Sequence, residues 1–168
     1  MKVLIVSDSH GWSEVLQQLK ERYERKVDAM IHCGDSELSA DDPAVEGYFI
    51  VRGNCDTENQ FPYDIIEGVE GRRIFVTHGH RYNIKMSLMN LMYKAKEYEA
   101  DLVFFGHSHL VGAESIDGTV FVNPGSITLP RGRKEKTYAI LEADHETTTV
   151  CFYDETHQEL VSLRQVFN

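Results

Sequence analysis

Five times in this chain a short apolar run ends and metal-ligating residue types follow at once. Residues 3–6 lead through Ser7 into Asp8-Ser9-His10. Residues 29–33, with His32 among them, lead into Gly34-Asp35. Residues 48–51 lead through Arg52 into Gly53-Asn54-Cys55-Asp56. Residues 74–77 lead into His78-Gly79-His80, and residues 102–105 into Gly106-His107-Ser108-His109. Short apolar runs bounded by glycine and polar residues read as buried strands. In open α/β sheets, ligands gather beyond the carboxyl ends of parallel strands. Carboxylates, imidazoles and an amide are therefore expected at one edge of one sheet, for which apolar packing alone gives no reason.

The 168 residues suit one domain spanning 1–168, and 42% hydrophobic residues allow a real core. No stretch approaches the ~18 apolar residues of a membrane span. Residues 1–6 read as a strand entering the fold rather than a signal peptide. Cys33, Cys55 and Cys151 are few and odd in number, which fits a reducing compartment. The expected location is cytoplasmic. A net charge of −10 disfavours extended nucleic acid as partner, because that surface needs cations. It leaves a small phosphate substrate open, since two divalent cations would make their site locally positive.

A first helix is expected to start at Ser13 as N-cap and run to about Arg25, burying Leu16, Leu19 and Tyr23. A second helix start is expected near Pro43. Residues 65–69 and 72–77 read as a hairpin across Glu70-Gly71. A helix is expected over 87–98, with Leu88, Leu91, Met92 and Ala95 inward. Residues 113–116 and 119–122 form a second hairpin on an Asp-Gly turn. Further antiparallel strands are expected at 138–141, 147–153 and 160–166. A mixed α/β first part thus gives way to a β-rich end. Two mixed β-sheets packed face to face with helices outside would hold both.

Asp8, His10, Asp35, Asn54, His78, His107 and His109 together offer two carboxylates, an amide oxygen and four imidazoles. That set suits two metal ions sharing a carboxylate better than one ion. Two ions about 3.5–4 Å apart suit in-line displacement at phosphorus. The order of motifs resembles the calcineurin-like metallophosphoesterase superfamily. The small size, His78-Gly79-His80 and Asn123-Pro124-Gly125-Ser126 look like its YfcE-type phosphodiesterase subgroup. The resemblance implies a four-layer αββα sandwich. It implies one ion on Asp8, His10, Asp35 and His109, and a second on Asp35, Asn54, His78 and His107. The expected ions are divalent, manganese first, with nickel, iron, zinc or magnesium as alternatives. Asn54 and His80 are the candidate catalytic residues, His80 either as acid or as a hydrogen-bonding support for a ligand. The expected reaction is phosphodiester hydrolysis by a metal-bridging hydroxide, on a small or nucleotide-derived substrate. A homodimer is also in keeping with the resemblance.

Cys55 stands where many members have a histidine that aids the leaving group. Its presence points away from efficient monoester hydrolysis and toward diesters, with electrostatic stabilisation left to the ions. A phosphomonoesterase, a nuclease and a retromer-like interaction scaffold are the alternatives. His32 is read as a hydrogen-bonded core histidine, and His145 and His157 as solvated. Asp56 is expected to hold a site loop or cap a turn. Residues 123–126 are expected to line the substrate cleft or form an ordinary turn. Arg131 and Arg133 are expected in a basic loop, touching phosphate, solvent or a subunit. Trp12 either stacks on a base or covers the first helix.

Overall fold

A computed structural model describes all 168 residues. In chain order the elements are β1 (Lys2–Val6), α1 (Ser13–Tyr23), β2 (Ala29–His32), β3 (Tyr48–Ile50), β4 (Asp64–Val69) and β5 (Arg72–Thr77). They continue with α2 (Met89–Glu97), β6 (Leu102–Phe104), β7 (Gly112–Ile116), β8 (Thr119–Asn123), β9 (Thr137–Ala143), β10 (Thr148–Asp154) and β11 (Gln165–Phe167). Six strands form one sheet in the order β11-β10-β9-β1-β2-β3, and five form a second in the order β4-β5-β6-β8-β7. β1, β2 and β3 are mutually parallel, as are β5, β6 and β8.

The central strands are apolar on both faces because both faces are covered. Val3, Ile5 and Ile31 of the first sheet meet Ile74, Val76, Leu102, Phe104 and Val122 of the second between the sheets. The alternate residues Leu4, Val6 and Met30 pack outward on Leu16 and Leu19 of α1. Phe75, Val103 and Phe121 pack outward on Leu91 and Ala95 of α2. The period-2 alternation therefore sorts each strand between two cores, and the result is the expected α/β arrangement of two mixed sheets flanked by helices.

Several expectations need correction. The five ligand-bearing loops do not lie on one sheet: β1, β2 and β3 belong to the first and β5 and β6 to the second. A strand buried on both faces has the same pattern in either sheet, so the pattern could not assign it. No helix starts at Pro43. Asp42 Oδ1 accepts the N–H of Ala44, and a succession of tight turns carries the chain to β3. That is an Asx-turn competing with helix. Ser13 is the first residue of α1 rather than its cap; Trp12 occupies that place without a side-chain bond. Residues 160–166 are a 3-10 turn (Val161–Leu163) followed by the short edge strand β11.

Candidate metal centre

The loops that follow β1, β2 and β6 hold their ligands in an unusual backbone conformation. Asp8 (φ 54°), His10 (φ 43°), Asp35 (φ 54°), His107 (φ 67°) and His109 (φ 60°) all lie in the left-handed region. Such residues cost on the order of 1 kcal/mol or more each and persist where surrounding contacts fix them. Those contacts are present. The loops after β1 and β2 are stitched by Asp8 N–H to Gly34 C=O at 3.0 Å, His10 N–H to Asp35 C=O at 3.0 Å and Gly11 N–H to Ser36 C=O at 2.8 Å. Ser126 Oγ donates to the Asp8 carbonyl at 2.8 Å, and Asn123 Nδ2 donates to Ser108 Oγ at 2.9 Å. Residues 123–126 are thus buried and brace two ligand loops. Glycine is required where loops converge: a Cβ at Gly53 would overlap the Asp35 carboxylate, and one at Gly106 would overlap Ser7 Oγ.

The donor atoms converge from both sheets. Asp8, His10 and His109 offer atoms all within 4.8 Å of one another, and so do Asp8, Asp35 and His78. A third such group joins His10, Asp35 and Cys55, so Asp35 lies between the His10 side and the His78 side. His78 Nε2 is 3.2 Å from Asp35 Oδ2 and 3.2 Å from Asn54 Oδ1. His109 Nε2 is 3.0 Å from Asp8 Oδ1, yet that buried oxygen has no well-directed hydrogen bond. His10 Nε2 is buried and unpartnered as well. Asp8 Oδ1 and His10 Nε2, buried without partners inside this crowd of donor atoms, are placed for a common central ligand. Burying them unpaired would otherwise be costly.

The histidines are oriented for the same purpose. His78 Nδ1 donates to the Cys33 carbonyl at 2.7 Å and His109 Nδ1 to the Leu129 carbonyl at 2.6 Å. A carbonyl only accepts, so each Nδ1 carries the hydrogen, and a neutral ring presents its Nε2 lone pair to the centre. His10 Nδ1 is paired with Glu37 Oε1 at 2.8 Å, the carboxylate–imidazole support common around metals. His107 takes no such bond; its ring lies 5.1 Å from that of His78. The His80 ring is 5.4 Å from His78 and 6.1 Å from His107, and its Nδ1 is buried without a partner.

The charges agree. Burial pushes the Asp8 carboxyl up, but His109 and His78 outweigh it and hold it below the usual range. Burial likewise raises Asp35, and His78 with the Cys55 N–H (2.7 Å from Asp35 Oδ1) more than reverses that. Burial lowers the proton affinity of His78, and Asp35 and Asp8 overcome it, so the ring holds its proton above the ordinary range. His109 is raised chiefly by its contact with Asp8. A field that favours a proton on these nitrogens favours a cation between them. His107, by contrast, is lowered to about 4 by burial, then by His78 and Lys85.

Of the seven candidate ligands, Asp8, His10, Asp35, His78 and His109 share these donor groups, Asn54 touches His78, and His107 lies beside the His78 ring. His32 is the core histidine expected. Its Nε2 donates to Ser9 Oγ at 2.9 Å, its Nδ1 accepts from Gly34 N–H at 3.1 Å, and burial lowers it to about 4. Asp56 holds the site loops, accepting from the N–H groups of Asp35, Gly53 and Glu37 at 2.7–2.8 Å. Cys55 is exposed, and burial of its sulfur together with Asp35 pushes its thiol up to about 11. His145 is solvent-exposed as expected; His157 is not fully solvated, since its Nδ1 lies 3.1 Å from the Tyr138 hydroxyl. Trp12 carries Lys136 Nζ at 4.7 Å above its ring and packs beside α1. Sequence reasoning missed Glu37, whose position two residues after Asp35 was the available signal. It also missed Tyr63, which carries Arg81 at 4.6 Å and Arg52 at 5.5 Å beside His80.

The comparisons with known proteins agree. The family profile of the calcineurin-like phosphoesterase superfamily domain matches residues 1–146. The chain is 48% identical over 164 residues to the probable metallophosphoesterase YsnB of Bacillus subtilis (strain 168), covering 98% of this chain and 97% of that one. It is 27% identical over 172 residues to the phosphodiesterase YfcE of Escherichia coli (strain K12), covering 86% and 89%. The crystal structure of a predicted phosphoesterase from Streptococcus pneumoniae TIGR4 superposes with a TM-score of 0.96 at 37% identity, over 99% of this chain and 96% of that one. The chain therefore belongs to the calcineurin-like phosphoesterase superfamily and is an enzyme of that kind, a metal-dependent phosphoesterase.

Proposed function

We propose that the chain is a dinuclear-metal phosphodiesterase acting on small, nucleotide-derived diesters in the cytoplasm. The observation that carries the reading is the position of Asp35, within reach of donors on both the His10 and the His78 sides. Asp8, His10, Asp35 and His109 would hold one divalent ion. Asp35, Asn54, His78 and His107 would hold the second, and manganese is the first to test. Such a pair supplies Lewis acidity at the phosphoryl oxygens and a water ionised near neutral pH.

This chain's own residues set the rest. Asn54 presents its amide oxygen beside His78 Nε2. Cys55 donates its backbone N–H to Asp35 and offers a protonated thiol where a histidine could have stood. A thiol of that kind is a poor partner for an alkoxide leaving group, which favours diesters with better leaving groups. The His80 ring lies beside those of His78 and His107, placed to contact the substrate there. The three thiols are all unpaired, in keeping with a reducing compartment.

Turnover of bis(p-nitrophenyl) phosphate with manganese, nickel, magnesium or zinc tests the reading, alongside metal content. Asp35→Ala is expected to lose one or both ions and about a hundred- to a thousandfold in rate, the scale of removing a main source of transition-state electrostatics. Retention of most of the rate at saturating metal would refute the two-ion mechanism. His80→Ala is expected to lose more rate on an alkyl than on an aryl leaving group, with the alkaline limb of its pH–rate profile displaced. An equal loss on both would leave His80 a support for a neighbouring ligand.

A further inference from the structure

Beside the metal centre, on the outer face of the five-stranded sheet, a cavity of about 530 Å³ opens between the segment leading into α2 and β7. Its size is that of an organic-ligand site. Ile84, Leu88, Phe105 and Phe121 give it an apolar wall. Ser108 and Asn123, hydrogen-bonded to each other, line its polar side. Its loop is continuous with the metal centre, because Ser108 lies between His107 and His109. Lys85 and Arg131 also line it, and neither makes an ion pair, although the protein carries a net charge of −10. The backbone N–H of Arg131 is bonded to the His109 carbonyl at 3.1 Å, which ties that cation's loop to the metal loop. Arg133, by contrast, is paired with Glu135 at 3.0 Å. Glu114, the one carboxylate in the lining, can accept from an amino or imino group.

An apolar wall, a few convergent polar atoms and two unpaired cations describe a ligand with a planar apolar body and an anionic group. We propose that this cavity seats the non-reacting arm of the substrate: a nucleoside carrying a second phosphate, its ring between Ile84 and Leu88 and its phosphate on Lys85 and Arg131. This deepens the phosphodiesterase reading and rests on it. The substrate class becomes diesters of nucleoside bisphosphates.

Three esters with one leaving group test it: ethyl p-nitrophenyl phosphate, thymidine 5′-(p-nitrophenyl phosphate) and thymidine 3′-phosphate 5′-(p-nitrophenyl phosphate). We expect kcat/KM to rise at each step, the last by at least about tenfold, the worth of one charge-assisted contact. Arg131→Ala and Lys85→Ala should reduce the ratio between the third and second esters. Gly112→Trp should reduce the ratio between the second and first, since a side chain there projects into open space. Leu88→Trp, on the cavity's opposite wall, provides a second filler should Gly112→Trp fold poorly. Equal kcat/KM for all three esters would overturn the proposal. A second readout does not depend on turnover. Thymidine 3′,5′-bisphosphate added to the magnesium-loaded protein should shift the amide resonances of Leu88 and Gly112, and much less so in Arg131→Ala. Shifts confined to the histidine loops, or none, would overturn the cavity assignment. Cavity shifts without hydrolysis of any ester would uphold the cavity and refute the phosphodiesterase reading.

Discussion

At the scale of single residues, the histidines of this chain divide by which nitrogen is bound. His78 and His109 give Nδ1–H to carbonyls and turn Nε2 to the centre. His32 does the reverse, accepting at Nδ1 from Gly34 and donating from Nε2 to Ser9. Burial disfavours the charged form of this ring, which is why its pKa falls to about 4. The sign follows from that. Unfolded His32 binds a proton near pH 6.5 while the folded ring stays neutral, so stability is present above that pH and is lost as pH falls toward 4. Between pH 7 and pH 5 the loss is about 2 kcal/mol from this residue alone. Urea unfolding of metal-stripped protein at both pH values checks it. His32→Asn should show a smaller loss over the same interval. An equal loss in both proteins would remove His32 as the cause.

Loops and the strands that launch them are the next scale. Asp56 is nearly buried and serves three backbone N–H groups on two loops. Two of those belong to Asp35 and Gly53, which must pack directly together. Asp56→Asn replaces one accepting oxygen with a donor facing other donors. It is expected to lower metal affinity by about 10–100-fold, as loss of an outer hydrogen-bonding partner does. Isothermal titration with manganese measures this, with circular dichroism to show that the fold is kept. Affinity equal to that of the parent would mean that the loops hold their shape without Asp56. The sequence offered Asp56 as a loop holder but not its three partners, because two of them sit about twenty residues upstream.

For the whole molecule, three cores separate the layers, and the inter-sheet core carries strands from both sheets. Closure of the centre needs that packing, since its donors come from both sheets. Metal is therefore expected to stabilise the whole fold and not one loop. At free metal about 100 times Kd each site adds about 2.7 kcal/mol. Thermal unfolding is expected as one transition that moves up with manganese, with two ions per chain by elemental analysis. One ion per chain would contradict the two-ion reading, and no stabilisation with no turnover would favour an interaction scaffold.

The sequence alone determined most of the strands, the two hairpins and the order of the seven candidate ligands. Each depends on neighbours within a few residues: alternation, turn chemistry and apolar runs that stop at glycine. Its errors are of more than one kind. Residues 3–6 and 74–77 are equally apolar on both faces, so nothing local assigned them to different sheets. Asp42 diverted the expected helix at Pro43 into turns through a bond to Ala44. The tertiary structure alone decided that Glu37 meets His10, that Asp56 ties two loops, and that Lys85 and Arg131 face one cavity. Those pairings join residues far apart in the chain, and only the packing of the two sheets fixes which distant groups come within hydrogen-bond range.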